Sequence, residues 1–437
     1  MLDTQIAATL RSILEEIIDD LELDYDDDLA PQTRLIADLG FASTDFIHLI
    51  VEIETKFSRK LGFHDLLMPE GTYIDDLTLG TLEAFVTSRM QQPVESSAPP
   101  VKSDSALPAV VPASTEPPVT EADLATYRSL MPASSEWGIP PAVGKRNPRA
   151  AFLLSSSRSG STLLRVILAG HPQLFAPPEL HLLLYPDMQR RRKSLDNPLN
   201  AHLLTGAIRA FMQIRDVSSE EAAAFVAQCE SDGMPVHEFY GRMLEELGDR
   251  LLIDKSPTYA MRPEFLARAR DEFEEPLFIH LVRHPCGMIK SFQDGKMDQY
   301  VPFMRESHFS RRQLAELTWL ATNSNISDFL TTIPANRQLR LNYDTLVAQP
   351  GEQVARLCEF LQVPFLESML QPYDDQHARM TDSVKNAAEF SGDLKFHLHA
   401  GIDPAAAAKW RGSLSESSLG APTRALSRQL DIQLEAD

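Results

Sequence analysis

The sequence predicts a multidomain protein: a small all-α bundle, a Pro-rich tether, and a larger α/β domain built on a P-loop-like parallel sheet. Three observations predict it. Residues 1–92 place apolar side chains at helical spacing and hold 19 acidic against 6 basic residues, a local charge of −13 within a total of −21. Residues 93–122 carry seven prolines among Ser, Ala, Val and Glu, with no apolar periodicity. From Arg149 onwards, short apolar runs ending in polar residues alternate with helical stretches. A chain of 437 residues exceeds one ordinary core, and 43% hydrophobic with 24% charged residues is a globular composition.

In the bundle, Ile6, Leu10, Ile13, Leu14 and Ile17 form one helical stripe, with Glu15, Glu16, Asp19 and Asp20 off it. A second helix is expected from Ser43-Thr44-Asp45, three good capping residues, with Phe46, Leu49, Ile50, Ile53 and Phe57 as its apolar face. A last helix is expected over residues 81–90, with a short one before it. The tether of residues 93–122 gives an attached domain reach at high effective concentration. Residues 121–147 regain apolar content and are expected to fold onto the following domain, whose bounds are set at 123–437.

Composition excludes several classes. The acidic balance argues against non-specific nucleic-acid binding. No apolar run reaches the roughly 18 residues of a membrane span, and the start Met1-Leu2-Asp3-Thr4 lacks a secretory pattern. Cys229, Cys286 and Cys358 have neither metal-ligand nor disulfide spacing, so buried thiols in a cytoplasmic protein are expected.

The most informative stretch is Ala151-Phe152-Leu153-Leu154 followed by Ser155 to Thr162 and the apolar run Leu163–Ala169. Strand, small-residue loop and helix start together make an anion site, because backbone N–H groups and the helix dipole converge there. Ser157, Ser159, Ser161 and Thr162 add hydroxyls, Gly160 permits close backbone approach, and Arg158 adds a positive fork. It is not a Walker A loop, since Ser155 and Ser161 stand where its first Gly and its Lys belong. Residues 250–257, 276–285 and 337–343 read as further strands, each ending in polar residues before a helix, and ligands gather at such carboxyl ends. Arg283 and Ser291, eight positions apart, pair a strand end with the next helix and suit a second phosphate, while Lys255 adds a cation at a third strand end. Two phosphate sites without Walker A point to a nucleotide phosphorylated at both ends, 3′-phosphoadenylyl sulfate.

These motifs resemble the sulfotransferase superfamily: Ser155–Thr162 as the 5′-side loop, Leu281-Val282-Arg283-His284-Pro285 with Ser291 as the 3′-phosphate motif, and Leu341-Asn342-Tyr343-Asp344-Thr345-Leu346 as its Tyr-Glu-Asp-Leu segment. Pro177-Pro178-Glu179-Leu180-His181, Asp254-Lys255-Ser256-Pro257 and Ile402-Asp403-Pro404 with Lys409-Trp410-Arg411 look like the sulfotransferase domains of curacin-type and olefin-forming polyketide synthases. Separately, Asp38-Leu39-Gly40 before Ser43 in an acidic bundle resembles the attachment site of acyl and peptidyl carrier proteins, with Thr44 where that family usually has Leu, Ile or Met. That resemblance implies a four-helix carrier bundle with 4′-phosphopantetheine on Ser43, and as partners a phosphopantetheinyl transferase and polyketide or fatty-acyl loading enzymes. Together the two imply sulfuryl transfer to a hydroxyl, the β-hydroxyl in the polyketide systems, of a carrier-bound acyl thioester.

Sulfuryl transfer, by analogy with phosphoryl transfer, rests on positioning and charge stabilisation. Arg158 and Lys255 are the candidates for stabilising oxygen charge, Glu179 for accepting the acceptor's proton, and His181 for standing in for it. Tyr343, Lys409, Trp410 and Arg411 are candidates for nucleotide contact, and His280 for a buried structural histidine. Arg190-Arg191-Arg192-Lys193 is either a landing site for the acidic carrier or a solvated helix end. His397-Leu398-His399 lacks a third ligand, and no metal is expected. Rival readings are a nucleotide-kinase-like phosphotransferase, which needs a loop Lys and a metal-holding Asp, a sulfotransferase acting on a free small molecule, and a carrier with a non-catalytic nucleotide-binding domain.

Overall fold

The structure, a computed structural model, describes residues 2–20, 29–39, 41, 49–50, 52–54, 56–57, 59, 61, 63, 66, 76–91, 116–133, 137–138, 144–196, 200–381, 401–412 and 414–434. The chain divides into two compact units, residues 1–112 with 383–390 and residues 113–382 with 391–437.

In the first unit, α1 (Leu2–Asp20) buries the whole predicted stripe, Ile6, Leu10, Ile13, Leu14 and Ile17. Helix α2 (Leu79–Gln91) contributes Leu79, Leu82 and Val86 to the same core, which also takes in Leu49 and Ile53. The turn at residues 35–39 is fixed by the Asp76 carboxylate, which accepts from the backbone N–H groups of Ile36 and Ala37 at 2.9 and 3.0 Å. Ser43 and the expected start of the second helix lie outside the described residues, so the four-helix count is left as a sequence expectation.

The second unit begins with α3 (Glu121–Leu130), capped by Thr120 in a reciprocal capping box with Asp123, which buries Leu124 and Tyr127. Its sheet has five strands: β1 (Ala151–Leu154), β2 (Leu174–Phe175), β3 (Leu251–Asp254), β4 (Leu277–Val282) and β5 (Gln338–Asn342). The order is β2-β3-β1-β4-β5, and every pairing is parallel. The period-2 alternation of β1 sends Phe152 and Leu154 into one core and Ala151 and Leu153 into the other. Both faces are therefore covered, as a parallel sheet requires.

Helix α4 (Ser161–Ala169) follows β1 directly. Between β2 and β3 come α5 (Met188–Leu195), α6 (Thr205–Arg215), α7 (Ser219–Ser231) and α8 (Val236–Leu247). Later come α9 (Pro263–Asp271), α10 (Pro285–Asp294), α11 (Arg311–Leu330), α12 (Tyr343–Ala348), α13 (Pro350–Leu361) and α14 (Ala421–Gln429). The chain leaves β1 towards β2 and leaves β4 towards β5, so the direction of travel reverses between β1 and β4. A crevice at the carboxyl ends opens at such a reversal. The cysteines are all buried thiols. Among the described residues, no helix is long and apolar enough to cross a membrane.

Candidate active site

The loop from Ser155 to Gly160 lies at that reversal. Arg158 and Gly160 take left-handed backbone angles, φ 59° and 84°, which fold the loop back on itself before α4 begins. Ser156 and Ser159 share a hydrogen bond at 2.9 Å, and the Ser155 hydroxyl is buried with no hydrogen-bond partner. The first N–H groups of α4 have no partner within the helix. A loop with this donor set fits an anionic group.

Around it stand two clusters. On the β4 side, Arg158 Nε donates to Ser291 Oγ at 3.2 Å and Arg283 Nη1 donates to the Arg158 carbonyl at 2.9 Å. The Arg283 guanidinium lies 4.6 Å over the Tyr343 ring, whose edge packs against Gly160 so closely that an added Cβ would come within 2.2 Å of it. Trp410 stacks on His284 at 4.4 Å, and His284 Nε2 is 3.0 Å from Glu416 Oε1. Arg411 lies 5.1 Å from the Trp410 ring, whereas Lys409 points outwards, 59% exposed and 3.5 Å from Asp403. Arg158 thus keeps company with the residues expected at the second phosphate.

On the β3 side, Lys255 is 1% exposed and its ammonium donates to Glu179 Oε1, with Thr162 Oγ1 at 3.5 Å. Pro177 and Pro178 deliver Glu179 from the end of β2, and its other oxygen is 3.0 Å from His181 Nε2. Burial alone would raise the Glu179 carboxyl, but Lys255 and His181 outweigh it and hold it well below the usual carboxylate range. Burial pulls the Lys255 ammonium down, with Glu179 opposing. Arg165 of α4 is fully buried nearby; burial brings it down to about 10, against the Glu179 charge.

A layer beneath orients these groups. Asp254 Oδ2 accepts from Tyr240 and, at 2.9 Å, from Tyr259, while Oδ1 accepts from Ser256 at 3.0 Å. The Ser256 oxygen in turn accepts from the His181 backbone N–H at 3.1 Å, and Thr258 Oγ1 meets His181 Nδ1 at 3.0 Å. His280, as expected, is buried, with Nε2 3.0 Å from Asn323 Oδ1.

Two residues here escaped the sequence reading. His202 is in electrostatic range of Glu179 and His181, and burial, then the His181 charge, push it down to about 4. Arg191 does not join a basic surface patch: it is 0% exposed, and its guanidinium donates to the Leu180 and Leu203 carbonyls. Arg192 is spent on Asp196 at 3.2 Å and Glu230 at 3.9 Å. The four consecutive cations are therefore not a continuous docking face. His397 and His399 lie outside the described residues.

This geometry can be set beside known proteins. Residues 150–367 match a sequence model of the sulfotransferase family. The sulfotransferase domain from the curacin biosynthetic pathway is 38% identical, with 67% of this chain and 100% of that one covered and a TM-score of 0.62. The sulfotransferase domain from the Synechococcus PCC 7002 olefin synthase is 36% identical, with 68% and 100% covered and a TM-score of 0.60. Nodulation protein NoeE of Sinorhizobium fredii (strain NBRC 101917 / NGR234) is 30% identical over 224 residues, 48% of this chain and 49% of that protein. The chain spans about half the length of that curated relative. With a phosphate-type loop at the sheet's reversal point, and a sulfotransferase domain 38% identical and covered over its full length, the chain belongs to the sulfotransferase family.

Proposed function

We propose that the second unit transfers a sulfuryl group from 3′-phosphoadenylyl sulfate to the β-hydroxyl of an acyl thioester held on a carrier arm. The observation that supports it best is the placement of Lys255, its ammonium on Glu179 and 3.5 Å from Thr162 at the start of α4. One cation thus stands between a carboxylate and an anion loop. In the resting pair Glu179 is held as a carboxylate and is a weak base. When Lys255 turns to oxygens of the donor, Glu179 loses its counter-charge while still buried, its proton affinity rises, and it takes the acceptor's hydroxyl proton. The acceptor oxygen then forms the new O–S bond as the bond from sulfur to the phosphate oxygen breaks. Ser157–Thr162, with Lys255, would hold the 5′-side phosphate. Arg283, Ser291 and Arg158 would hold the 3′-phosphate, with Tyr343, Trp410 and Arg411 beside the nucleoside.

For the first unit we read residues 1–92 as a carrier bearing 4′-phosphopantetheine on Ser43, joined through residues 93–122 to the transferase. Its acidity and its buried helical stripe support that reading.

The test uses the full chain with sulfur-labelled 3′-phosphoadenylyl sulfate and a 3-hydroxyacyl thioester on a loaded carrier. Label is expected on the acyl chain, with kcat in Glu179→Gln lower by about 10²–10⁴. Label on free hydroxylated small molecules but on no acyl thioester would overturn the acceptor assignment. A phosphopantetheinyl transferase with coenzyme A is expected to add one phosphopantetheine mass to the chain and none to Ser43→Ala. No mass gain would remove the carrier reading and leave the transferase intact.

A further inference from the structure

Glu179 and His181 sit on a segment that belongs to no helix or strand: nothing regular intervenes between β2 and α5. Buried backbone groups must nevertheless be satisfied. Here side chains from elsewhere do it. Arg165 donates to the Ala176 carbonyl at 2.9 Å, Ser256 and Tyr259 accept from the N–H groups of His181 and Leu182, and Arg268 donates to the Leu183 and Tyr185 carbonyls.

Arg191, like Arg165 with its second bond to the Arg379 carbonyl at 3.0 Å, holds two segments at once, and its bonds meet on either side of the reacting groups. Its Nε donates at 3.0 Å to the carbonyl of Leu180, between Glu179 and His181, and its Nη2 donates at 2.9 Å to the carbonyl of Leu203, next to His202. The guanidinium is fully buried, so no water competes for it. A second contact closes the same junction. At Gly206, near the start of α6, an added Cβ would come within 2.1 Å of the Glu179 carbonyl oxygen. The planar fork of arginine sets both the spacing and the direction of the two carbonyls, and lysine cannot reproduce it.

We infer that Arg191 is a positioning residue of the transferase: by tying the Glu179–His181 segment to the turn at residues 201–204, it fixes the base relative to His202 and to Lys255. This rests on the reading of Glu179 as the base. The contacts themselves do not, and the test separates the two.

The variants are Arg191→Lys, Arg191→Met and Gly206→Ala, all in the full chain. The first readout is amide hydrogen exchange. Faster exchange is expected at residues 179–182 and 201–205, with residues 151–170 unchanged. The second is sulfuryl transfer to a 3-hydroxyacyl thioester. A misplacement near 1 Å costs about 10²-fold, so kcat is expected to fall by about that factor in Arg191→Met, and by less in Arg191→Lys. The KM for 3′-phosphoadenylyl sulfate is expected to stay within about twofold, because the phosphate loop is not tied by Arg191. Gly206→Ala keeps the buried charge, so it tests the same junction if Arg191→Met does not fold. Unchanged kcat with faster exchange, or exchange rising equally across residues 151–170, would overturn the inference. Unchanged kcat in Glu179→Gln, with the exchange pattern as expected, would sink the reading of Glu179 as base and the catalytic part of the inference with it, leaving only a structural clamp.

Discussion

Lys255 has two neighbours of different use, the Glu179 carboxylate and the hydroxyl at the start of α4. Removing the ammonium in Lys255→Met leaves burial opposed by His181 alone, so the proton affinity of Glu179 rises. In the wild type the folded carboxyl sits below its ordinary value of 4.5. Its contribution to stability is therefore complete above about pH 4.5 and is lost as the pH falls through the folded value. In Lys255→Met the folded value rises, so less of that contribution remains. Urea midpoints from pH 4 to 8 are expected to lie lower in the variant than in the wild type, with the gap narrowing as the pH falls through the variant's raised value. At this scale the sequence disclosed Glu179, Lys255 and Arg283, because each ends or follows a strand and a proline or helix start fixes its direction. It hid Arg191, since nothing in Arg190-Arg191-Arg192-Lys193 tells which cation turns inwards. It hid His202 as well, a lone histidine between two stretches of ordinary helix.

The element that organises the site is the β1–loop–α4 unit, and its weak point for substitution is Gly160. An alanine there meets two obstacles, a left-handed φ of 84° and the Tyr343 ring at 2.2 Å. Gly160→Ala is expected to weaken binding of 3′-phosphoadenosine 5′-phosphate at least tenfold by calorimetry, while the far-ultraviolet dichroism stays that of the wild type. In the strand itself, Phe152 is fully buried between Phe273 and Phe278, with ring centroids at 5.1 and 5.8 Å. Phe152→Ala is expected to cost about 3–5 kcal/mol in urea unfolding. Strands β1, β3, β4 and β5 were legible as apolar runs with polar ends. Strand β2 was not, because two residues between His171-Pro172-Gln173 and Pro177 carry no periodicity and take their conformation from β3. The tether's end was read at residue 122, and the capping box at Thr120 shows that structure already begins there. Proline content gave the tether's composition without marking where the chain touches down.

At the scale of the whole molecule, acid acts through buried histidines of the second unit. His202, His280 and His284 of the second unit are each pushed by burial from 6.5 down to about 4. Between these values the unfolded chain binds protons that the folded chain refuses, so stability falls as the pH drops from about 6.5 to 4 and levels off below. The urea midpoint of the second unit is expected to fall across that window, with His280→Gln flattening the slope. The α/β class of this unit was legible because strand–helix alternation is a property of long stretches. The helix count of the first unit was not settled, because its second helix falls largely outside the described residues. One further consequence follows from how the Glu179 segment is fastened. Its shape depends on five side chains from α4, α5, α9 and the end of β3, not on sheet pairing. Changes in its length or lining reach the start of α4 only through Arg165 and Lys255, and the Arg283 cluster stands on β4, α10 and α12, apart from them. Acceptor preference and donor affinity can therefore drift apart under selection, and an engineer can exchange one without rebuilding the other.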